Sequence, residues 1–354
     1  MPNLILREAF DFGDIAIVGG KDGRLKEITQ RNAAAKALLS GFDYSLGKNS
    51  VASAMICRNR DSFKDPWAAM VDAKNCVAVV CACFGWERSI AQSHNFTVRY
   101  TDFFDFYPRW PSADGKGTVY QGEARTVHAS DATGFIGTTH AYLSVTSFTQ
   151  PILNLALLNE VTKVWRRIHV AERPLRDDQR LMRSLSVAYE ACRVPQAMEN
   201  DVYDHGKHTS LWVSALETLA HPGTRVGLRE VLDLIGKREL NDPRLNRKAR
   251  MKHGKKSISL NAAQRLYFHL YRARNSFLHG NRLTVRSFMP KCLGKGIRLL
   301  DTAPLVFLAA LEASLPDAID RITTDHPENV ASIMRYNSLE NSFSRALGKP
   351  DDLD

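Results

Sequence analysis

The stretch Leu270-Tyr271-Arg272-Ala273-Arg274-Asn275-Ser276-Phe277-Leu278-His279-Gly280 places a guanidinium, a carboxamide and an imidazole close together in the chain. Cleaving RNA without a metal needs three groups: a base for the 2′-hydroxyl, an acid for the leaving 5′-oxygen, and a cation for the charge that builds on the phosphorane. Histidine suits the proton transfers because its ordinary pKa lies near neutrality. Arginine suits the phosphorane because its planar fork holds two phosphate oxygens and never loses its proton. Arg274 and His279 are therefore the candidate catalytic pair, and Asn275 can orient the imidazole or donate to a phosphate oxygen. The scheme calls for no metal and no cofactor.

These residues need a rigid carrier, and the spacing predicts a helix from about Ser259 to His279, with Leu266, Leu270 and Phe277 on a face that can be buried. Gly280 stands where a left-handed C-terminal cap is expected. At about 100° per residue Arg274 and His279 lie about 140° apart, while Asn275 and His279 share a face, so the trio is expected to project toward one side. Just upstream, the segment from Lys237 to Lys256 holds nine Lys or Arg against the acids Glu239 and Asp242. It reads as a basic linker, and Arg247, Lys248, Arg250, Lys252, Lys255 and Lys256 are the candidate RNA-binding residues, since neutralising phosphates releases condensed counterions. The plainer alternative is a solvated basic loop without a specific partner.

The string Arg-Asn-x-x-x-His, as Arg274-Asn275-Ser276-Phe277-Leu278-His279 with Tyr271 before it and Gly280 after, resembles the signature of the HEPN superfamily, most closely its ApeA-like branch. Leu211 to Leu219, with Ala215-Leu216-Glu217 at the centre, is similar to an earlier helix of that branch. The resemblance spans roughly Asp177 to Leu315. It implies a helical bundle that forms a homodimer in which two Arg-x-x-x-x-His helices face each other across a composite active site. It also implies a metal-independent endoribonuclease acting on RNA, tRNA or mRNA, in antiphage defence or as a toxin. Carried over by position, Arg274 and His279 would be catalytic, with Asn275 between them and with Glu217 and Tyr271 as supporting residues. Some members keep the fold without the activity, so a catalytically silent module that binds RNA or a partner protein is the other reading. Under it Arg274 forms a salt bridge to Glu217 or another acid, and His279 caps its helix.

The chain has 354 residues and a net charge of +10. That length suggests two cores. The expected architecture is α+β: residues 1–150 as a β-rich sensor or regulatory domain, and residues 151–345 as the all-α bundle. In the first part, Asp14 to Val18 and Arg24 to Thr29 flank a Gly-rich turn and read as a hairpin, and one short helix is expected near Gln30 to Leu39. Further strands are expected at Asn95 to Tyr100, Thr118 to Gln121, Arg125 to Ala129 and His140 to Ser147. In the second part, helices are expected at Asp177 to Arg193, His208 to His221 and Val226 to Ile235, and in a last long helix opened by Pro304. The N-terminus lacks a leader pattern, and the apolar run Val77 to Trp86 is too short to span a bilayer, so a soluble, cytoplasmic protein without membrane contact is expected. Six scattered cysteines suggest reduced thiols, with Cys81 and Cys83 as buried small residues in a strand-like run. The aromatic segment Phe103 to Trp110 reads as an edge packed on its own domain.

Overall fold

The computed structural model describes residues 9–40, 53–91, 155–171, 174–193, 201–223, 226–315, 317 and 339–348, with the backbone of short strands at 42–43, 109–111, 118–121, 126–129 and 135–136. The fold is of the α+β class, mostly helical with a small antiparallel sheet near the N-terminus. The strands expected at Asn95 to Tyr100 and His140 to Ser147 fall outside the described residues, as does most of the aromatic segment at 103–110.

The N-terminal sheet joins β1 (Phe10–Asp11), β2 (Ile15–Val18) and β4 (Ala54–Cys57), all antiparallel, with Ile17 opposite Phe10 on one side and Met55 on the other. The four residues of β2 are all buried, as expected of a central strand apolar on both faces. Its expected hairpin partner is instead helix α1 (Gly23–Arg31), which starts where the Asp22 carboxylate accepts from the Arg24 amide at 2.9 Å. A capping aspartate after a glycine pair opens a helix as readily as a turn. Helix α2 (Ala33–Ser40) follows, close to the helix expected there. Strand β3 (Phe42–Asp43) runs parallel to β8 (Phe135–Ile136), and β5 (Arg109–Pro111), β6 (Thr118–Gln121) and β7 (Thr126–Ala129) form an antiparallel meander that includes two of the expected strands.

The apolar run that reads as a strand is the middle of a 26-residue helix, α3 (Pro66–Ala91). Residues 76 to 83 are all buried, so no side of the helix is polar and the sequence shows no helical period there. By length and composition α3 could cross a membrane, yet 67 % of its most apolar window is buried among the helices of this chain. Its neighbours are α4 (Leu155–His169), α5 (Arg176–Arg193) and α10 (Ala303–Ser314). Trp86 Nε1 donates to the Asp301 carbonyl at 2.6 Å, and Trp165 Nε1 on α4 donates to the Ala69 carbonyl at 2.9 Å. One apolar cluster therefore runs from Phe12 through α3 to Leu347 and crosses the boundary expected near residue 150.

Helix α6 (Val202–Ala220) packs on α5 and on α9 (Ala262–Leu278), and α7 (Leu228–Gly236) leans on α9 and α10. α6 begins six residues before the expected start, because the Asp201 side chain accepts from the Asp204 amide at 2.7 Å. The segment that reads as a basic linker is ordered. A short helix α8 (Pro243–Asn246) leads into a hairpin of β9 (Ala249–His253) and β10 (Lys256–Leu260), turned at Gly254 with φ +59°. Met251 pairs with Ile258 and Ala249 with Leu260, so one side of the hairpin packs on the core. Arg250 and Lys252 alternate with them on the opposite side.

Candidate active site at the end of the ninth helix

Helix α9 carries the candidate residues, and both its ends are fixed locally. At the start, Asn261 and Gln264 form a reciprocal capping box, with Asn261 Oδ1 accepting from the Gln264 amide at 3.0 Å and Gln264 Oε1 from the Asn261 amide at 2.9 Å. Gln264 Nε2 also donates to the Leu232 carbonyl at 2.8 Å, which ties α9 to α7. At the end, His279 is the C-cap and Gly280 has φ +68°. The Asn281 amide donates to the Ser276 carbonyl at 3.0 Å and the Gly280 amide to the Phe277 carbonyl at 3.2 Å, which together make a Schellman closure. The expected left-handed glycine is therefore where the sequence puts it.

Leu266 and Leu270 are fully buried and anchor the helix, while Phe277 is half-buried against α6. The approach is close there. A Cβ on Gly206 would stand 2.3 Å from the Phe277 ring, so only glycine lets α6 lie so near the end of α9.

That contact brings Glu217 of α6 to Arg274. The guanidinium donates through Nη2 to Glu217 Oε2 at 2.8 Å and through Nη1 to Asn275 Oδ1 at 2.9 Å. Its Nε is buried and has no partner among the described residues. The Arg274 and Glu217 side chains are 20 % and 15 % exposed, so the pair sits at the rim of the bundle with an edge toward solvent. Burial raises the Glu217 carboxyl above its ordinary pKa, and the Arg274 charge opposes that rise without cancelling it. Tyr271 lies beside the pair, with Arg274 Cζ 6.0 Å from its ring centre.

His279 is exposed, and its imidazole has no hydrogen-bond partner among the described residues. Its backbone amide donates to the Asn275 carbonyl at 3.0 Å. Arg274 leans toward α6 whereas His279 follows the solvent side of the helix end, and no hydrogen bond joins them. Thus Arg274 and Asn275 are brought together with Glu217, and His279 stands apart by more than a quarter turn of helix, as the 100° step requires. Leu278 beside it is 56 % exposed, and Val285 and Met289 in the following segment are 63 % and 47 % exposed.

The six basic candidates Arg247, Lys248, Arg250, Lys252, Lys255 and Lys256 are all exposed, and none forms an ion pair among the described residues. Of the other three basic residues of the stretch, Lys237 is exposed, Arg238 is buried against Glu312 at 3.0 Å, and Arg244 pairs with Asp242 at 2.7 Å. Among the described residues no group of three or more His, Cys, Asp or Glu is placed to hold a metal ion.

Sequence reading passed over Tyr267. It is fully buried on α9, its hydroxyl has no partner among the described residues, and burial, reinforced by the nearby Glu217 carboxyl, pushes the phenol well above its ordinary pKa. The available signal was spacing: Tyr267, Tyr271 and Arg274 recur at four and three residues and form one stripe facing α6. Comparison with family models, with curated proteins and with solved structures returns no match.

Proposed function

We propose that the chain is a metal-independent endoribonuclease of HEPN type, with Arg274 and His279 as its catalytic pair. The observation that carries this reading is the Glu217–Arg274–Asn275 chain of hydrogen bonds at the end of α9. It holds a guanidinium in one orientation at the solvent edge, on the same helix end as an exposed, uncommitted imidazole. In the proposed reaction a neutral His279 takes the proton of a ribose 2′-hydroxyl, and the freed oxygen attacks the adjacent phosphorus. Arg274 neutralises the phosphorane, the P–O5′ bond breaks, and a protonated imidazole returns a proton to the leaving oxygen. The products are a 2′,3′-cyclic phosphate and a 5′-hydroxyl.

Among the described residues His279 is the one imidazole carried on this end of α9, and Arg274 and His279 diverge around the helix. A second copy, set with its α9 end against the first, supplies the second imidazole and lets one subunit's guanidinium meet the other's histidine. The exposed Leu278 beside His279, with Val285 and Met289 in the following segment, is the apolar surface such a homodimer would cover. The basic hairpin β9–β10 is the arm for the RNA backbone. A role in antiphage defence or as a toxin, on tRNA or mRNA, is part of the same proposal.

The ion pair itself favours a second reading, a silent module that binds RNA or a protein, because Glu217 already occupies the cation that a phosphate would use. Incubating the purified protein with total tRNA and resolving the products on a denaturing gel separates the two. Under the enzymatic reading wild type cuts, with or without EDTA, and His279→Ala does not, while its thermal midpoint stays within about 2 °C because an exposed side chain contributes little to stability. Intact RNA with a salt-dependent mobility shift gives the silent module; EDTA-sensitive cutting overturns the proposed chemistry.

A further inference from the structure

The side of α9 turned away from Glu217 carries a second set of polar side chains that the reaction above does not use. At 100° per residue Arg265, His269 and Arg272 fall within about 60° of one another, opposite Arg274. Arg265 is only 7 % exposed, its Nε is buried without a partner, and no hydrogen bond or ion pair reaches its guanidinium among the described residues. The comparably buried Arg238, by contrast, is met by the Glu312 carboxylate.

The described groups around Arg265 supply no negative charge. Cys292 Sγ lies 3.4 Å from His269 Nε2, and burial raises its thiol above the ordinary range, so it is uncharged near neutral pH. Burial, with Arg272 and Arg265, holds His269 down to about 4, so its ring is neutral as well. Arg272 adds a second guanidinium, whose Cζ stands 5.8 Å from the Phe268 ring centre, and that ring meets His253 of the hairpin at 5.9 Å. Among the described residues the cluster therefore has two cations, two neutral hydrogen-bonding groups and no anion. A buried charge without a counter-charge is unfavourable, and the shape of the deficit defines what would fill it. Two planar forks beside a neutral imidazole and a thiol suit a compact oxyanion that accepts several hydrogen bonds at once.

We propose that Arg265, His269, Arg272 and Cys292 form a binding site for a phosphate group, either free phosphate or a phosphate of an RNA backbone, distinct from the Arg274 and His279 end of the helix. The site stands without the ribonuclease reading, since it rests on an unanswered charge and not on the catalytic pair.

The test follows the rate of Cys292 alkylation by iodoacetamide in the full chain, read by peptide mass spectrometry, against inorganic phosphate and against sodium chloride at matched ionic strength. Phosphate is expected to slow the modification saturably where chloride does not. Arg265→Met and Arg272→Gln should each weaken that protection about tenfold or more, the loss expected for a charge-assisted hydrogen bond. Without phosphate, Arg265→Met should melt no lower than wild type, because the substitution removes an unpaired buried charge. Arg272 is exposed, so its variant reads the site even where the buried change perturbs folding. A short oligoribonucleotide without terminal phosphates identifies the source. Protection by it at lower concentration than by phosphate assigns the backbone, and protection by phosphate alone assigns the free anion. Equal protection by phosphate and chloride, or undiminished protection in both variants, overturns the proposal.

Discussion

Replacing Arg274 by methionine keeps much of the side-chain volume and leaves Glu217 facing the bundle with no cation. At a charge separation of about 4 Å and an effective dielectric of about 20, the attraction lost is about 4 kcal/mol gross. Burial raises the Glu217 carboxyl even with Arg274 in place, so desolvation offsets much of that attraction and the pair adds little net stability. What matters is the orphaned carboxylate. A fully buried pair loses about 3–5 kcal/mol when one partner goes, and the 20 % and 15 % exposure here lowers the expectation to about 1–3 kcal/mol. Adding Glu217→Leu should recover most of that loss, giving a coupling of similar size in a double-mutant cycle. Urea unfolding followed by tryptophan fluorescence is a suitable assay, since Trp212 is fully buried on the same helix as Glu217. The pH dependence has a definite sign. A carboxyl whose folded pKa is raised above the ordinary 4.5 stabilises the fold below that value and loses this contribution as pH rises through the raised one. Removing Arg274 raises it further, so the cost of Arg274→Met should be largest near neutral pH and shrink as pH falls toward the ordinary carboxylate range. Additive single substitutions, or a cost unchanged over that range, would refute the account of Glu217 as the partner that matters. RNA cleavage should be lost in both the single and the double variant, which separates the guanidinium's chemistry from its part in the fold.

Two further outcomes are expected. Changing Arg250, Lys252, Lys255 and Lys256 together to glutamine should leave the thermal midpoint nearly unchanged, because all four are exposed, while the slope of log affinity for single-stranded RNA against log salt falls by up to about 3; an unchanged slope would remove the hairpin from the RNA interface. Gly206→Ala should destabilise the chain by about 1–3 kcal/mol, because the new methyl must push Phe277 aside, and should lower cleavage more than it lowers RNA binding, since Phe277 lies two residues from His279; wild-type stability would mean that the helices separate freely at that crossing.

The helices that border solvent on one side were legible. Leu181, Leu185, Ala188 and Cys192 fix α5 almost to the residue, and Gly280 marks the end of α9. Helix α3 was not, because burial on every side erases the polar face that reveals a helical period. The basic hairpin was hidden for a different reason. Charges on its outer side masked the short apolar alternation of Ala249, Met251, Ile258 and Leu260, and so many charges in succession read as a linker. At the candidate site, Glu217 and Arg274 could be paired from the sequence pattern, and the separation of about 140° between Arg274 and His279 was already in the spacing, although the trio was expected to share one side. Nothing local to Arg265 in the sequence foretells a side chain 7 % exposed.

The shared core around α3 also limits how this protein can be divided. With Trp86 bonded to the Asp301 carbonyl and Trp165 to that of Ala69, cutting the chain near residue 150 would strip the inner walls of α4, α5 and α10 and leave them wet. The C-terminal half is then not a cassette that could be moved intact into another chain. A displacement of α3 would be felt by α4, α5 and α10 through side chains already in contact.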